Sequence, residues 1–372
     1  MTKQEFITAL REALAPMEEQ ERAAHCDYYA EMIDDMLEAG LTEAEVFERL
    51  GDPAALAREM RGEVGGEPKH ISLRESLAQL MRSFASVRFG PGESWSRAEE
   101  HSFSGNIRSL DVQWRSGETE IAVSDRDGVE LIEYRSENAP AMVSWQQEDT
   151  LFVRYAPDGE RCREAKRLRV LLPRAAAGAL LDCRVSTASA DVKLAGLRAE
   201  TVTADTKSGD ICLEDVAAGT GELGALSGDM TGWGDFEHLR AHTASGDIEL
   251  RTERTAEADV RAASGDISLE GRIDVLTVHS ASGNVDYTGL SDRIEAVTAS
   301  GDGELSLRGL PASLRWSSAS GDLELRLPAG SECSLRFESV SGDLDCRGVR
   351  TFAAEEPTLL LRTTSGDVTI LA

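Results

Sequence analysis

The chain has 372 residues, which is too long for one ordinary compact domain, so two or three structural units are expected. Only 5% of the residues are aromatic while 33 are Gly, and this composition favours a repetitive β protein over a large globular enzyme. The formal net charge of −28 argues against nucleic acid, and against an anionic membrane surface, as a partner of the whole molecule.

Neither an export signal nor a membrane span is expected. The first residues after Met1 enter an acidic helix with no apolar core before a cleavage site, so no signal peptide is predicted. No apolar run reaches the roughly 18 residues that a membrane span needs. The six cysteines have no Cys-x-x-Cys or His-linked spacing, which indicates thiols in a reducing compartment. We therefore expect a cytoplasmic protein, with membrane association as the alternative.

Residues 1–61 are expected to form a small acidic α-helical domain. Thr2 and Glu5 form a capping box, and Phe6, Leu10 and Leu14 then recur at helical spacing. Over residues 1–60, 15 Asp or Glu stand against 5 Lys or Arg, a net charge of −10. Such a small bundle has little core of its own, so we expect it to pack on another surface.

Two stretches of this domain carry a family resemblance. Residues 1–6 read MTKQEF, and residues 50–57 read LGDPAALA after an acidic, tyrosine-containing helix. Together they resemble the bacterial HAAS signalling domain, whose members commonly travel with PadR-like transcriptional regulators. The resemblance implies that residues 1–61 bind a protein partner, and it implies no catalytic residues.

Residues 62–92 are expected to contain a linker and a basic amphipathic helix. Leu73, Leu77, Leu80, Phe84 and Val87 are spaced 4, 3, 4 and 3, which predicts one apolar stripe on residues 71–88. The favoured interpretation is a helix that caps the first rung of the repeats behind it. The alternative is a helix that binds a membrane surface or a partner's groove, which so few basic residues beside a charge of −28 make weaker.

Residues 93–185 are expected to form leading β-strands of the same β domain. Apolar and polar residues alternate there, and Ser116-Gly117 and Asp127-Gly128 supply turns. Pro173 is expected to end a strand.

A Ser-Gly-Asp tripeptide recurs through residues 186–372. Its Ser residues are Ser208, Ser227, Ser245, Ser264, Ser300, Ser320, Ser341 and Ser365, with Ser282-Gly283-Asn284 as a variant and Ser189-Ala190-Asp191 as a diverged first copy. Successive Ser residues from Ser189 are 19, 19, 18, 19, 18, 18, 20, 21 and 24 residues apart. A repeat of this period predicts one supersecondary unit stacked many times.

Numbered from Ser as position zero, each copy has a period of two. Positions +3 and +5 are mostly apolar and position +4 is mostly polar, so one face of each strand is buried. The remaining loops are short, which favours a coil of parallel strands. The predicted fold is mainly β, a parallel β-helix (β-solenoid) over residues 186–372 with a small N-terminal α-helical domain.

The tripeptide itself is interpreted as a corner. Its glycines are expected to adopt positive φ: Gly209, Gly228, Gly246, Gly265, Gly283, Gly301, Gly321, Gly342 and Gly366. Its aspartates are expected to accept corner N–H groups. The alternative is a calcium ladder, less favoured because there is one carboxylate per rung: Asp210, Asp229, Asp247, Asp266, Asp302, Asp322, Asp343 and Asp367. No cofactor is expected.

The repeated Thr/Ser-Ala-Ser-Gly-Asp-Ile-x-Leu pattern resembles a bacterial family of candidate adhesins, a domain of unknown function. The resemblance covers roughly residues 100–372 and implies a right-handed parallel β-helix. We predict a non-enzymatic scaffold or signalling module, with adhesin-like binding at the cell envelope as the alternative. Carbohydrate hydrolysis is disfavoured, since the loops are short and no acid–base pair stands out.

The last copy raises a question of packing. Residues 368–370, VTI, lie two residues before the end of the sequence and leave nothing to cover a final open edge. The sequence therefore predicts an end-to-end homodimer through the C-terminal rung, or another partner at that face.

Overall fold

The computed structural model describes residues 3–15, 53, 96–157, 159, 162, 164–174, 180–354 and 356–372. Helix α1 spans Lys3–Ala13 and buries Phe6 and Leu10, as the helical spacing predicts. The rest of the helical head, the linker and the amphipathic segment 71–88 lie outside the described residues. The boundaries predicted for these units stay predictions.

The described β domain consists of strands joined in a continuous ladder. The leading strands are β1 (Ser96–Phe103), β2 (Ser109–Ser124), β3 (Val129–Arg135), β4 (Val143–Gln147), β5 (Thr150–Arg154) and β6 (Lys166–Pro173). The central strands are β7 (Leu180–Ala195), β8 (Arg198–Thr206), β9 (Ile211–Ala225), β10 (Met230–Ser245), β11 (Ile248–Ser264), β12 (Ile267–Ser282), β13 (Val285–Leu290) and β14 (Arg293–Ser300). The last strands are β15 (Gly303–Leu307), β16 (Ser313–Ser320), β17 (Leu323–Arg326), β18 (Glu332–Ser341), β19 (Leu344–Arg347), β20 (Arg350–Phe352), β21 (Leu359–Ser365) and β22 (Val368–Leu371).

The central strands form the predicted coil of parallel rungs. Met230 at position +3 of β10 pairs with Ile211 of β9 on one side and Ile248 of β11 on the other. The apolar residues at +3 and +5 therefore stack in columns inside the coil, where Ile211, Ile248 and Leu269 are buried. The prediction of a mainly β, solenoid-type fold is confirmed.

At the N-terminal end, the rungs do not follow chain order. Strand β2 pairs in parallel with β7 on one side, and with β5 and β6 on the other. The outermost rung is thus made of β5 and β6, although β2 precedes them in the chain. Antiparallel strands β4 and β3 pair with the free edges of β5 and β6. This end of the coil therefore has its edge hydrogen bonds satisfied by strands.

A buried ion pair lies at the same end. Lys166 and Glu133 are both fully buried, and the Lys166 Nζ atom is 2.7 Å from the Glu133 Oε1 atom. The ammonium group also donates to the carbonyl oxygen of Pro140 at 2.8 Å, and it lies 4.2 Å from the ring centre of Tyr155. A buried charge is tolerated only with such partners, so this cluster ties β6 to β3.

The C-terminal end also reverses the chain order. Strands β21 and β22 pair with β16 and β17 on one side, and with β18 and β19 on the other. The final strands of the chain are therefore inserted between two earlier rungs. The prediction that residues 368–370 form the open edge is wrong, because Ile370 is 0% exposed. The outermost rung consists of β18 and β19, with the short strand β20 paired to the start of β18. Val340 on β18 is 83% exposed and Phe352 on β20 is 58% exposed.

Candidate functional site

The predicted corners stack in one column with a very close approach between rungs. A Cβ atom at Gly209 would lie 2.2 Å from the carbonyl oxygen of Ala190, and one at Gly366 would lie 2.1 Å from that of Gly321. Each of the nine predicted glycines meets a neighbouring carbonyl oxygen in this way, at 2.0–2.2 Å. Positive φ was predicted for all nine, but only Gly265, Gly283, Gly301, Gly321 and Gly366 have it. Close stacking of rungs, more than φ, is what excludes a side chain here.

The aspartates of the column form a continuous hydrogen-bonded ladder. The Oδ1 atom of Asp191 accepts the backbone N–H of Asp210, whose own Oδ1 atom accepts the N–H of Asp229. The same bond repeats up the column through Asn284, with N···O distances of 2.7–3.1 Å. It runs from Asp322 to Asp367 and then to Asp343, which confirms the reversed rung order. The ladder fits the predicted role of corner acceptors.

Partial burial raises the pKa of Asp191 and of Asp247 above the ordinary value of 3.8. In every ladder aspartate except Asp343, at the end of the column, one carboxylate oxygen accepts a backbone N–H group. Within the described ranges no group of three or more His, Cys, Asp or Glu side chains is placed to hold a metal ion. Asn284 continues the ladder without a charge. The calcium hypothesis for the eight aspartates stays a prediction, and the bonding pattern favours the corner role.

A groove on the outer face of the coil is the second candidate site. It begins where Gly232 occupies position +5, which is apolar in most other copies, and has φ of +126°. The register of β10 with β9 shifts between Trp233 and Gly234, and its register with β11 shifts after Trp233. A bulge of this kind re-aims a side chain. Trp233 is accordingly 42% exposed in the middle of the stack.

We call this feature the Trp233 groove. It has a volume of about 490 Å³ and is lined by outward residues at positions +4 and +6 of successive rungs, chiefly Cys212, Glu214, Thr231, Trp233, Glu249 and Arg251. Ser268 and Glu270 continue the lining on the next rung. Burial raises the pKa of the Cys212 thiol, so this cysteine is neutral at physiological pH. A concave surface with an exposed aromatic ring and a few polar groups is typical of a binding site.

Ion pairs neutralise most of the charge along the Trp233 groove. Glu214 is 2.7 Å from the Nζ atom of Lys193, and Glu270 is 2.9 Å from the guanidinium group of Arg251. Asp215, at the end of the groove, pairs with Arg198 at 2.5 Å. Glu249 differs from these three carboxylates, because its Oε1 atom is buried and has no hydrogen-bond partner.

Comparison with protein families gives this architecture a name. The family model of Toastrack DUF4097 matches residues 106–275 and 235–371, which together include strands β2 to β22. The chain belongs to the Toastrack DUF4097 family. The HAAS family model matches residues 5–59, in agreement with the resemblance of the helical head. The Toastrack region therefore contains both the corner ladder and the Trp233 groove.

Solved structures with weaker similarity to the chain also exist. A candidate adhesin from Bacteroides fragilis NCTC 9343 is 14% identical, with a TM-score of 0.35, over 75% of this chain and 97% of that one. A candidate adhesin from Parabacteroides merdae ATCC 43184 is 12% identical, with a TM-score of 0.40, over 76% and 98%. No curated protein matches the chain.

Two features of the Toastrack region escaped the sequence analysis. Ser116-Gly117-Glu118 is a further copy of the corner, in register with Ser189-Ala190-Asp191, and it was interpreted only as a turn. The Trp233 groove was also missed. Its signal in the sequence is the copy that starts at Ser227, where Gly232 and Trp233 both depart from the repeat pattern.

Proposed function

We propose that this chain is a non-enzymatic interaction scaffold. The Toastrack coil is the rigid part and binds a ligand in the Trp233 groove, while the helical head of residues 1–61 recruits a protein partner. The observation that carries the proposal is the groove, which interrupts an otherwise regular stack with an exposed tryptophan beside a carboxylate that has no partner at Oε1. Rigid repeat surfaces are well suited to binding because little ordering is needed when a partner docks.

The HAAS match supports the role of the head. Through the family resemblance, a PadR-like transcriptional regulator is the partner of first choice for residues 5–59. The acidic head, with a net charge of −10 over residues 1–60, suits a partner with a basic surface. No helix within the described residues is long and apolar enough to cross a membrane.

The head is tested by titration calorimetry with a purified PadR-like regulator from the same organism. The full chain should bind it, and a chain that begins at residue 62 should not. Trp233→Ala in the full chain is the control, and it should leave this affinity unchanged because the groove is a separate surface. Equal binding by the chain without the head would refute the assignment.

Adhesin-like binding at the cell envelope is the second candidate. An exposed tryptophan flanked by polar side chains also suits the face of a sugar ring, which favours this reading of the Trp233 groove. Cell fractionation separates the two functions. A soluble pool that co-purifies with the regulator supports the scaffold, whereas recovery with the envelope fraction, lost in Trp233→Ala, supports the adhesin-like function.

A further inference from the structure

Glu249 lies in the Trp233 groove with a buried Oε1 atom that accepts no hydrogen bond. The nearest cation along its strand, Arg251, is held by Glu270 at 2.9 Å. Burial raises the pKa of Glu249, and the Arg251 guanidinium only partly offsets this effect. Leaving a buried acceptor without a donor is energetically unfavourable. A cation brought to this carboxylate from the groove would offset part of that cost by electrostatic attraction.

Trp233 supplies an apolar surface next to this carboxylate. Thr231 pairs with Glu249 across neighbouring rungs, and Trp233 is two residues further along the same strand. The tryptophan is therefore a diagonal neighbour of Glu249 on the outer face. The face of a tryptophan ring attracts cations, and the aliphatic stem of a long basic side chain packs well on such a ring.

The chain already contains the same three chemical groups in contact elsewhere. Lys166 lies with its Nζ atom 5.3 Å from the ring centre of Trp114 and 2.7 Å from the Glu133 carboxylate. There the lysine is internal and buried. In the Trp233 groove the ring and the carboxylate are present, and the chain's own cation there, Arg251, pairs in register with Trp233 but is bound by Glu270. A cation that binds Glu249 directly has to come from outside.

We propose that the Trp233 groove binds a Lys or Arg side chain of a protein partner, with its stem on the Trp233 ring and its cationic head at Glu249. This assignment rests on the proposed binding function of the groove and names its ligand class. The net charge of −28 attracts basic segments to the molecule, and the groove provides the specific contact.

The test is titration calorimetry of the full chain with acetyl-Gly-Ser-Lys-Lys-Ser-Gly-amide at about 0.15 M salt, where exposed charges are largely screened beyond about 8 Å. The same peptide with norleucine in place of both lysines keeps the stem and removes the charge, and maltohexaose is the sugar probe. Trp233→Ala and Glu249→Gln should each weaken the lysine peptide by about tenfold or more, which corresponds to about 1.4 kcal/mol.

Two matched variants control for general effects. Trp145→Ala removes another exposed tryptophan, 39% exposed and stacked on Phe152. Glu304→Gln removes a charge at the same position +4 in a different rung, where the carboxylate already pairs with Arg326. Both should bind the lysine peptide as the parent chain does. Melting temperatures of all four variants show that each is folded.

The outcomes separate the ligand class from the binding function. If Glu249→Gln and Glu304→Gln weaken the lysine peptide equally, binding is only a property of the acidic surface and the assignment is wrong. If maltohexaose or the norleucine peptide binds better than the lysine peptide and loses affinity in Trp233→Ala, the groove is a binding site but the ligand class is refuted. If no probe binds, the ligand class is also refuted, while the experiment on the head remains independent.

The outermost C-terminal rung carries a second, independent inference. Over residues 335–341, β18 pairs with β21 on one edge, and no strand of the described part of the chain pairs with its other edge. Phe337 on this strand is flanked by Arg336 and by Glu338, which also pairs with Arg362 on β21 at 2.8 Å. In an antiparallel pair of two such strands centred on Phe337, each Arg336 would face Glu338 of a second copy. The sequence of the edge is therefore self-complementary in charge.

We infer that two copies of this chain join end to end through β18, and not through residues 368–370. The test is sedimentation of the full chain over a range of concentrations. Arg336→Glu and Glu338→Arg should each shift the molecule to monomer, because like charges then oppose each other, and the double variant should restore the dimer. Glu257→Arg, a reversal in the middle of the stack, should change nothing. A monomeric parent chain, or a double variant that stays monomeric, would overturn the inference.

Discussion

The reversed order of the last rungs makes a prediction about two leucines at the same position of the repeat. Leu335 of β18 and Leu359 of β21 pair across adjacent rungs, and both lie at position −6. In chain order Leu359 would belong to the final, open rung and Leu335 to an internal one. In the structure Leu359 is 0% exposed, between Leu314 and Leu335, while Leu335 is only partly buried.

Leu359→Ala should therefore destabilise the protein more than Leu335→Ala. A fully buried leucine replaced by alanine costs about 2–5 kcal/mol, whereas a leucine on the open face loses less apolar contact and leaves no enclosed cavity, so about 1–2 kcal/mol is expected. The assay is urea unfolding of the full chain, with hydrogen exchange to locate the loss, because repeat proteins can open locally.

Hydrogen exchange should show slow amides in β22 of the parent chain, since the Val368 N–H donates to the Asp343 carbonyl oxygen within the stack. On the other side of the same rung, the Asp367 carbonyl oxygen accepts the N–H of Leu323 on β17. Amides of β18 should exchange faster. An equal or greater cost for Leu335→Ala, or faster exchange in β22 than in β18, would refute the inserted strand.

Three further predictions concern the column of corners. Asp247→Ala should lower the free energy of unfolding, measured in urea, by about 0.5–1.5 kcal/mol because the Asp266 N–H loses its acceptor. Asp247→Asn keeps an acceptor oxygen, as Asn284 does in its own rung, and should lower this free energy less. Because the pKa of Asp247 is raised in the fold, the folded state keeps the Asp247 proton to higher pH than the unfolded state does. Protonation of Asp247 therefore stabilises the fold fully below the ordinary pKa of 3.8, and this contribution is lost as pH rises through the raised pKa. The stability of Asp247→Asn relative to the parent should therefore be greater at pH 7 than at pH 3, and a difference independent of pH would contradict this. In Gly301→Ala, the new Cβ atom would lie 2.2 Å from the Gly283 carbonyl oxygen. Gly330 also has positive φ but has no atom within 4 Å, so Gly301→Ala should lower the free energy of unfolding by at least about 2 kcal/mol more than Gly330→Ala. Similar losses for the two variants in thermal unfolding would show that φ alone matters.

The repeat could be predicted from the sequence because its signal is local. Positions +3 and +5 specify the buried face of every strand, and neighbouring rungs impose the same choice again. One exception depends on a neighbouring rung. Gly303 replaces the usual apolar residue at position +3, where a Cβ atom would lie 2.2 Å from the Trp316 ring. Because Trp316 lies in the next rung, this glycine cannot be explained from one copy alone.

The order of rungs at the two ends could not be predicted in this way. Leu335, Leu359 and Leu314 carry the same side chain at the same position, so the pattern fits any order of stacking. At the C-terminal end the reversed order coincides with longer connections, since the copies that begin at Ser320 and Ser341 are 21 and 24 residues long and exceed the others. The Trp233 groove was hidden for a related reason, since a bulge breaks the pattern that the alignment of copies relies on.

The inserted C-terminal strands also determine when the molecule can be completed during synthesis. Strands β18 and β19 are synthesised before β21 and β22, yet apart from the short β20 they gain their rung partners only when those last strands are in place. A chain that stops before residue 359 would therefore leave both β17 and β18 with bare edges. Residues 359–371 therefore close this end of the coil for the rungs on both sides, and neither of those rungs is completed until these strands have been made.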